Sequence, residues 1–409
     1  MKTTKFKPSE VGPIPEEWEV KRLGNCAEIA RGGSPRPIEA YLTTASNGLN
    51  WVKIGDVGVG AKYIERTEEK IKPEGLSSTR QVSAGDFVLS NSMSFGRPYI
   101  MKIDGCIHDG WLVIQDYRKQ FETEYLFYSL GSEWVFRQYK TLAAGSSVLN
   151  LNKDVVARVV VPVPPRPEQE KIAEALSDVD ALLAAMTKLI EKKRAIKQGA
   201  MQELLTGKKR LAGFTGKWVE KRLGDVGEFV GGGTPSTAIS SYWGGDIDWY
   251  TPAEIGYAKY VNSSNRRITN EGLRNSAARV LPAGAILLTT RASIGIRAIL
   301  KHEAATNQGF QSLIVNEESD SEFMYYFLST VVEEMESRAS GSTFLEISSS
   351  KLKEIPIVVP QTVAEQKAIA SVLSDMDAEI AALEATRAKY ESIKQGMMQE
   401  LLTGKTRLV

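Results

Sequence analysis

The sequence predicts an α+β protein: two β-rich globular heads separated by two long α-helices packed as an antiparallel coiled coil, built as a pseudo-two-fold internal repeat. Three observations predict it. The stretch IKQGAMQELLTGKKRL (Ile196–Leu211) returns 197 residues later as IKQGMMQELLTGKTRL (Ile393–Leu408), identical at 14 of 16 positions. Ahead of each copy, apolar residues recur in alternating steps of four and three, the period of a coiled-coil seam. Elsewhere the chain carries short strand-like runs such as DFVLS and AILLTT among glycine turns. A chain of 409 residues with 42% hydrophobic and 25% charged content has room for two or three ordinary domains. Two repeats are too few for a solenoid, so the duplication reads as a pseudo-dimer within one chain.

The first head is assigned to residues 1–165 and the second to 213–360. Trp18 and KRLG (Lys21–Gly24) open the first and return as Trp218 and Lys221–Gly224. GGSP (Gly32–Pro35) returns as GGTP (Gly232–Pro235), and GDFVLSNSMSFG (Gly85–Gly96) lies over GAILLTTRASIG (Gly284–Gly295). AAGSSVLNL (Ala143–Leu151) lies over ASGSTFLEI (Ala339–Ile347). Asn25 with Glu28, and Asp225 with Glu228, have the spacing of a helix capping box. Each head closes on an alternating run into proline, ARVVVPVP (Ala157–Pro164) and KEIPIVVP (Lys353–Pro360). Trp51 and Trp249 occupy matching places and read as framework core.

The central helical segment is assigned to residues 166–212 and the C-terminal one to 361–409. The first seam is Ile172, Leu176, Val179, Leu183, Met186 and Ile190; the second is Ile369, Leu373, Met376, Ile380 and Leu383. Pro167 with Glu168 and Glu170 makes an acidic first turn, and Thr362 with Glu365 fits a capping box. Gly207 and Gly404 stand where helix-ending glycines belong. From Glu168 to Leu205 the helix would run ~57 Å. The first helix is acidic early and basic late, which fits either an antiparallel partner or its own dipole; the repeat itself asks for two-fold, antiparallel packing. Gly199 and Gly396 fall mid-helix, where they serve a close helix crossing or a tolerated kink.

The composition excludes several functions. Two histidines (His108, His302) and two cysteines (Cys26, Cys106) cannot build a zinc-ligand spacing. GGGTP is not a dinucleotide fingerprint, and GKT at Gly404–Thr406 ends a helix instead of starting one. There is no Asn/Asp-Pro-Pro-Tyr/Phe run of an adenine methyltransferase, and the carboxylate–lysine spacing of PEEWEVK (Pro15–Lys21) is too cramped for a nuclease and is not kept in the second copy, KWVEK (Lys217–Lys221). No catalytic residue, metal site or cofactor is assigned. Net charge is +1, so a DNA-binding face must come from local segregation of charge. No run approaches a membrane span and no apolar leader opens the chain, so a cytoplasmic protein is expected.

Taken together, the W…KRLG opening, GGTPS (Gly232–Ser236) followed by YWGGDIDW (Tyr242–Trp249), TTRASIG (Thr289–Gly295) with NQGFQSL (Asn307–Leu313), and the Pro-Glu-Gln entry into a helix ending QELLTG resemble the specificity subunit of type I restriction–modification systems. The resemblance covers nearly the whole chain, including the duplication. It implies a non-catalytic subunit whose heads are target-recognition domains, each reading one half of a split site in double-stranded DNA. The helices would space the heads and bind two methyltransferase subunits, which two restriction–translocation subunits join. S-adenosylmethionine, ATP and Mg²⁺ would belong to those partners. The first head departs from the pattern, with GGSPRP for GGTPST, Ser92 where the second has Arg291, and IHDGW (Ile107–Trp111) for TNQGF (Thr306–Phe310).

Candidate contacts follow from side-chain chemistry. The turns at Gly32, Gly33, Ser34 and Arg36, and at Gly232, Gly233, Thr234 and Ser236, offer backbone N–H groups and hydroxyls to phosphates, or are ordinary tight turns. Arg97 and Arg291 suit guanine edges or phosphates, or pair within the head. Ser293 in the Arg291 loop, and Ser92 in the matching loop of the first head, are further candidates. Asn307 and Gln308 suit adenine, or bond within the core. Lys53, Arg266 and Arg267 suit the DNA backbone, or form a solvated surface. The competing reading is a coiled-coil adaptor whose heads bind proteins; a fused methyltransferase is disfavoured by its missing motifs.

Overall fold

Phe87–Ser90 is apolar at three consecutive positions and buried throughout, because its sheet is covered on both faces. The computed structural model describes residues 5–58, 60–91, 95–143, 151–341 and 345–408. In the first head a five-stranded sheet runs in the order Glu28–Arg31, Trp111–Gln115, Phe87–Ser90, Pro98–Met101, Tyr63–Ile64. Phe87, Leu89, Leu112 and Ile114 enter one core, while Val88, Trp111 and Val113 enter another on the opposite face, as the two-residue strand period requires. The second head repeats the order with Gly227–Gly231, Gln311–Val315, Ile286–Leu288, Arg297–Leu300 and Tyr260–Val261. Ile286 and Leu288 face one core and Leu287 the other. In both sheets the last pairing is parallel and the rest antiparallel.

The second layers differ. The first head has a further five-stranded sheet containing Leu49–Val52 and Gly105–Ile107; the second has three strands, with Trp243–Tyr250 between Arg266–Ile268 and Ala304–Thr306. Trp51 and Trp249 are buried in these layers. The runs into proline form the strands Val160–Val163 and Pro356–Pro360, which pair with the opening strands Glu19–Arg22 and Trp218–Arg222. The expected capping boxes at Asn25 and Asp225 do not start α-helices. Asn25 ends and Asp225 lies within a short 3₁₀ turn, and Glu28 and Glu228 belong to strands. Two adjacent apolar residues follow in each strand, Ile29 with Ala30 and Phe229 with Val230, one for the core on each face of the sheet, and this burial outweighs the local capping signal.

The long helices span Arg166–Leu204 and Val363–Leu401. The chain divides into two compact units, Met1–Thr187 with Thr386–Val409, and Lys188–Ala385. Each unit thus holds one head, the first part of the helix that follows it and the last part of the other helix. In the first unit Lys394 pairs with Asp180 at 2.5 Å and Arg387 donates to Thr187 at 2.9 Å. In the second, Lys193 pairs with Glu379 at 2.6 Å and Lys197 with Asp377. Partner numbers fall as residue numbers rise, so the paired segments run antiparallel in both units. Of the seam residues, Ile172, Leu176, Met186, Ile190, Ile369, Leu373 and Ile380 are buried; Val179, Leu183, Met376 and Leu383 are half-buried. Ile172 and Leu176 join the core beneath the first head together with Leu401 and Leu402, and Ile369 and Leu373 join the other with Leu204 and Leu205.

The repeated helix end has a structural reason. Gly207 and Gly404 both sit at φ +70°, and a Cβ there would press on the rings of Trp218 and Trp18 at 3.2 and 3.1 Å. The turn then delivers Arg210 and Arg407 to two carboxylates at the opposite helix starts. Arg407 grips Glu168 through Nε and Nη2, with Trp18 Nε1 donating to the same carboxylate at 2.9 Å. Arg210 grips Glu365 the same way, at 2.6 and 2.8 Å, with Trp218 Nε1 at 3.3 Å. Glu168 and Glu365 are 2% and 3% exposed. Glu365 therefore does not close the expected capping box: its backbone N–H donates to Thr362 Oγ1 at 3.3 Å, but its carboxylate is taken by the arginine and tryptophan. Gly199 and Gly396 do not serve a close crossing, since a Cβ on either would meet nothing within 4 Å.

Candidate nucleic-acid interface

In the second head the glycine turn, the arginine loop and the amide loop meet at one corner. Gly232 lies so close to the Asn307 carbonyl that no side chain fits, and Gly233 donates its N–H to Thr306 O at 2.8 Å. Thr234 Oγ1 donates to Gln308 Oε1 at 2.6 Å. Asn307 Oδ1 accepts from Gly309 N at 2.9 Å, which holds its loop in a tight turn. Arg291, Ser293, Asn307 and Gln308 line an open pocket of about 330 Å³ with Pro252, Ala292 and Gly309. Arg291 is half-exposed, 3.7 Å from Glu346. Ala292 is left-handed at φ +64°, a costly conformation for a residue with a Cβ. Ser293 after it is exposed, while its carbonyl accepts from Thr289 Oγ1.

The first head builds the same corner from different side chains. Gly32 abuts the His108 carbonyl, as Gly232 abuts that of Asn307. Gly33 donates to Ile107 O at 3.2 Å. Ser34 Oγ donates to Asp109 Oδ1 at 2.8 Å, standing where Thr234 stands against Gln308. His108 Nδ1 accepts from Gly110 N at 2.8 Å, as Asn307 Oδ1 accepts from Gly309. Burial pushes the His108 imidazole below its usual pKa, so a neutral ring accepts that bond. The Ser34 hydroxyl holds the Asp109 carboxyl below the usual carboxylate range. Arg36 lies 3.6 Å from Asp109 and is mostly exposed.

Other candidates lie elsewhere or are already paired. Lys53 pairs with Glu69 at 2.8 Å. Arg266 stacks 3.6 Å over the Trp243 ring, and Arg267 lies 3.2 Å from Asp248. The Ser236 carbonyl accepts from Trp243 Nε1 at 3.1 Å. Arg97 does not join the corner: it lines a cavity with Lys62, Asp180, Arg387 and Lys394 beneath the first head. Ser92 lies outside the described residues, as does most of the Ala143–Leu151 stretch. Among the described residues no three His, Cys, Asp or Glu side chains are grouped to hold a metal ion, and no helix is long and apolar enough to cross a membrane.

Sequence reasoning passed over Asp109, although IHDGW set against TNQGF aligns it with Gln308. It also passed over a duplicated polar network between each head and its helix. Tyr128 OH donates to Asp180 at 2.7 Å, with Ser177 at 3.2 Å and Lys62 at 3.3 Å. Tyr326 OH donates to Asp377 at 2.6 Å, with Ser374 and Lys259 both at 3.3 Å. The repeated LSDVD and LSDMD runs supply the serine and aspartate each time. Burial pushes the Lys62 ammonium down to about 8.

A family model for the type I restriction modification DNA specificity domain matches residues 15–197 and again 215–395. The putative type I restriction enzyme MjaX specificity subunit of Methanocaldococcus jannaschii is 27% identical over 442 aligned residues, covering 100% of this chain and 98% of that protein. The MjaIX specificity subunit of the same organism is 43% identical over 164 residues, but these are only 39% of this chain and 38% of the relative. The EcoR124I/EcoR124II specificity subunit of Escherichia coli is 28% identical over 232 residues, 54% of this chain and 55% of the relative. Among solved structures, a chain from work on complex assembly and conformational transition of the type I R-M system has the same fold, with TM-score 0.64 at 19% identity over 96% of this chain and 99% of that one. The HsdS subunit of Thermoanaerobacter tengcongensis has TM-score 0.53 at 20% identity over 96% and 98%. One family model, matched twice and on the two halves of the repeat, places this protein among the type I restriction–modification specificity subunits.

Proposed function

We propose that this chain is the DNA reader of a type I restriction–modification complex, with each head reading one half of an interrupted, asymmetric site. Residues 1–165 and 213–360 act as the target-recognition domains. Residues 166–212 and 361–409 set the gap between half-sites and dock two methyltransferase subunits, to which two restriction–translocation subunits add. Methyl transfer and ATP-driven cleavage belong to those partners. What supports this reading is the pair of matched corners: one backbone frame presents Ser34, His108 and Asp109 in one head and Thr234, Asn307 and Gln308 in the other. A shared frame with unlike polar tips is what two different half-sites ask of a duplicated reader. Arg291 provides a phosphate contact at the same corner, whereas the N–H groups of Gly32, Gly33 and Gly233, expected to be free for phosphates, are already spent on the Trp111, Ile107 and Thr306 carbonyls.

Footprinting of the full chain with its methyltransferase subunits tests the reading. Two protected patches with an open gap between them are expected, weakening steeply with salt. A complex that assembles but protects no sequence supports the adaptor reading instead.

A further inference from the structure

We infer that Asp109 and Gln308 are equivalent base-reading positions with unlike hydrogen-bonding character: Asp109 selects a base edge that only donates, cytosine N4, and Gln308 selects adenine. The inference rests on the DNA-reading function proposed above and adds which side chains discriminate and which bases they take.

Three observations carry it. Both side chains occupy the same place on the same frame, one residue past a carbonyl that abuts a glycine of the neighbouring turn. Each is fixed by a hydroxyl two residues after that glycine, Ser34 at 2.8 Å or Thr234 at 2.6 Å. Each also keeps an exposed polar edge: Asp109 is 47% exposed in its side chain and Gln308 is exposed. A surface side chain with no function gains little from such fixing, because ordering it costs rotamer entropy. A reader gains, since the entropy is already lost before the base arrives.

The chemistry then separates the two. An ionised carboxylate offers lone pairs and no proton. Asp109 thus complements the exocyclic amine of cytosine and is repelled by the acceptors of guanine. Thr234 spends its proton on Gln308 Oε1, which leaves the Gln308 amide N–H₂ and a second oxygen lone pair to face outward. That donor-plus-acceptor edge matches adenine N7 and N6. The negative charge of Asp109 also opposes non-specific attachment to phosphates, and Arg36 at 3.6 Å offsets part of it.

The test uses the full chain assembled with its methyltransferase subunits, with modified bases mapped on genomic DNA. The unaltered complex must first yield a bipartite motif; if it yields none, the DNA-reading function fails, and not this assignment alone. With Asp109→Gln, one position in one half-site should change from cytosine to adenine, and modification of the original site should fall about tenfold or more. The other half-site and the gap should stay as they were. Gln308→Glu should alter one position in the other half-site only. If Asp109→Gln abolishes modification in a complex that still assembles, Ser34→Ala decides. Relaxed choice at a single position upholds the assignment, and an unaltered motif overturns it. Unchanged motifs in both substituted complexes, or a change in both half-sites from one substitution, also overturn it.

Discussion

Glu168 is 2% exposed because Arg407 and Trp18 together satisfy both of its oxygens. Truncating one member leaves a buried charge or indole N–H without a partner, which typically costs ~3–5 kcal/mol. Glu168→Ala should therefore lower stability by about 3 kcal/mol in denaturant titration. Arg137→Ala, which breaks an exposed one-turn pair with Glu133, should change it by less than about 0.5 kcal/mol. Equal effects from the two would show that the clasp is not a buried ion pair. Lys62 gives a pH signature. Burial lowers its pKa to about 8, against about 10.4 unfolded. Between those values the unfolded chain holds a proton that the folded chain has shed, so this group makes stability rise with pH across that window. Lys62→Met should remove that rise from melting curves taken at pH 7.5–10, and curves that run parallel for the two proteins would contradict it.

Among the elements, the helices were the most legible, because a 4-3 apolar period and duplicated ends state length, register and stop together. The strands Phe87–Ser90 and Ile286–Leu288 were legible as apolar runs, although their burial on both faces was not. The turns at Asn25 and Asp225 were misread because a capping signal is local, whereas the strand after each is stabilised by partners 80–88 residues away. Glu365 was misread for a related reason: its arginine is 155 residues distant in sequence, and no local period announces it. The candidate site was half legible. Gln308 and the glycine turns drew attention by residue type, but an acid such as Asp109 is not what charge reasoning seeks beside DNA. Helical glycines separate by environment. Gly199→Ala and Gly396→Ala meet open space and should each stabilise by up to about 1 kcal/mol. Gly207→Ala and Gly404→Ala should destabilise, since φ is +70° and a tryptophan ring lies against each. Thermal melting of the four variants checks this, and a uniform sign would refute it.

For the whole molecule, the equivalence of the two clasps has a consequence. In the first unit, residues 386–408 bring Arg407 to Glu168 and Leu401 with Leu402 to the core. A half-length chain, residues 1–211, carries near-copies of these groups in Arg210, Leu204 and Leu205. It should therefore pair with itself, one copy's Arg210 on the other's Glu168. Sedimentation should show a dimer that Arg210→Ala weakens; a monomer at tens of micromolar would contradict the equivalence. The most direct measurement of the central claim is a map of modified bases left by the full chain with its methyltransferase subunits. The account predicts one motif made of two dissimilar specified halves, separated by a fixed run of unspecified bases. A continuous motif, two identical halves, or modification without sequence preference would contradict it.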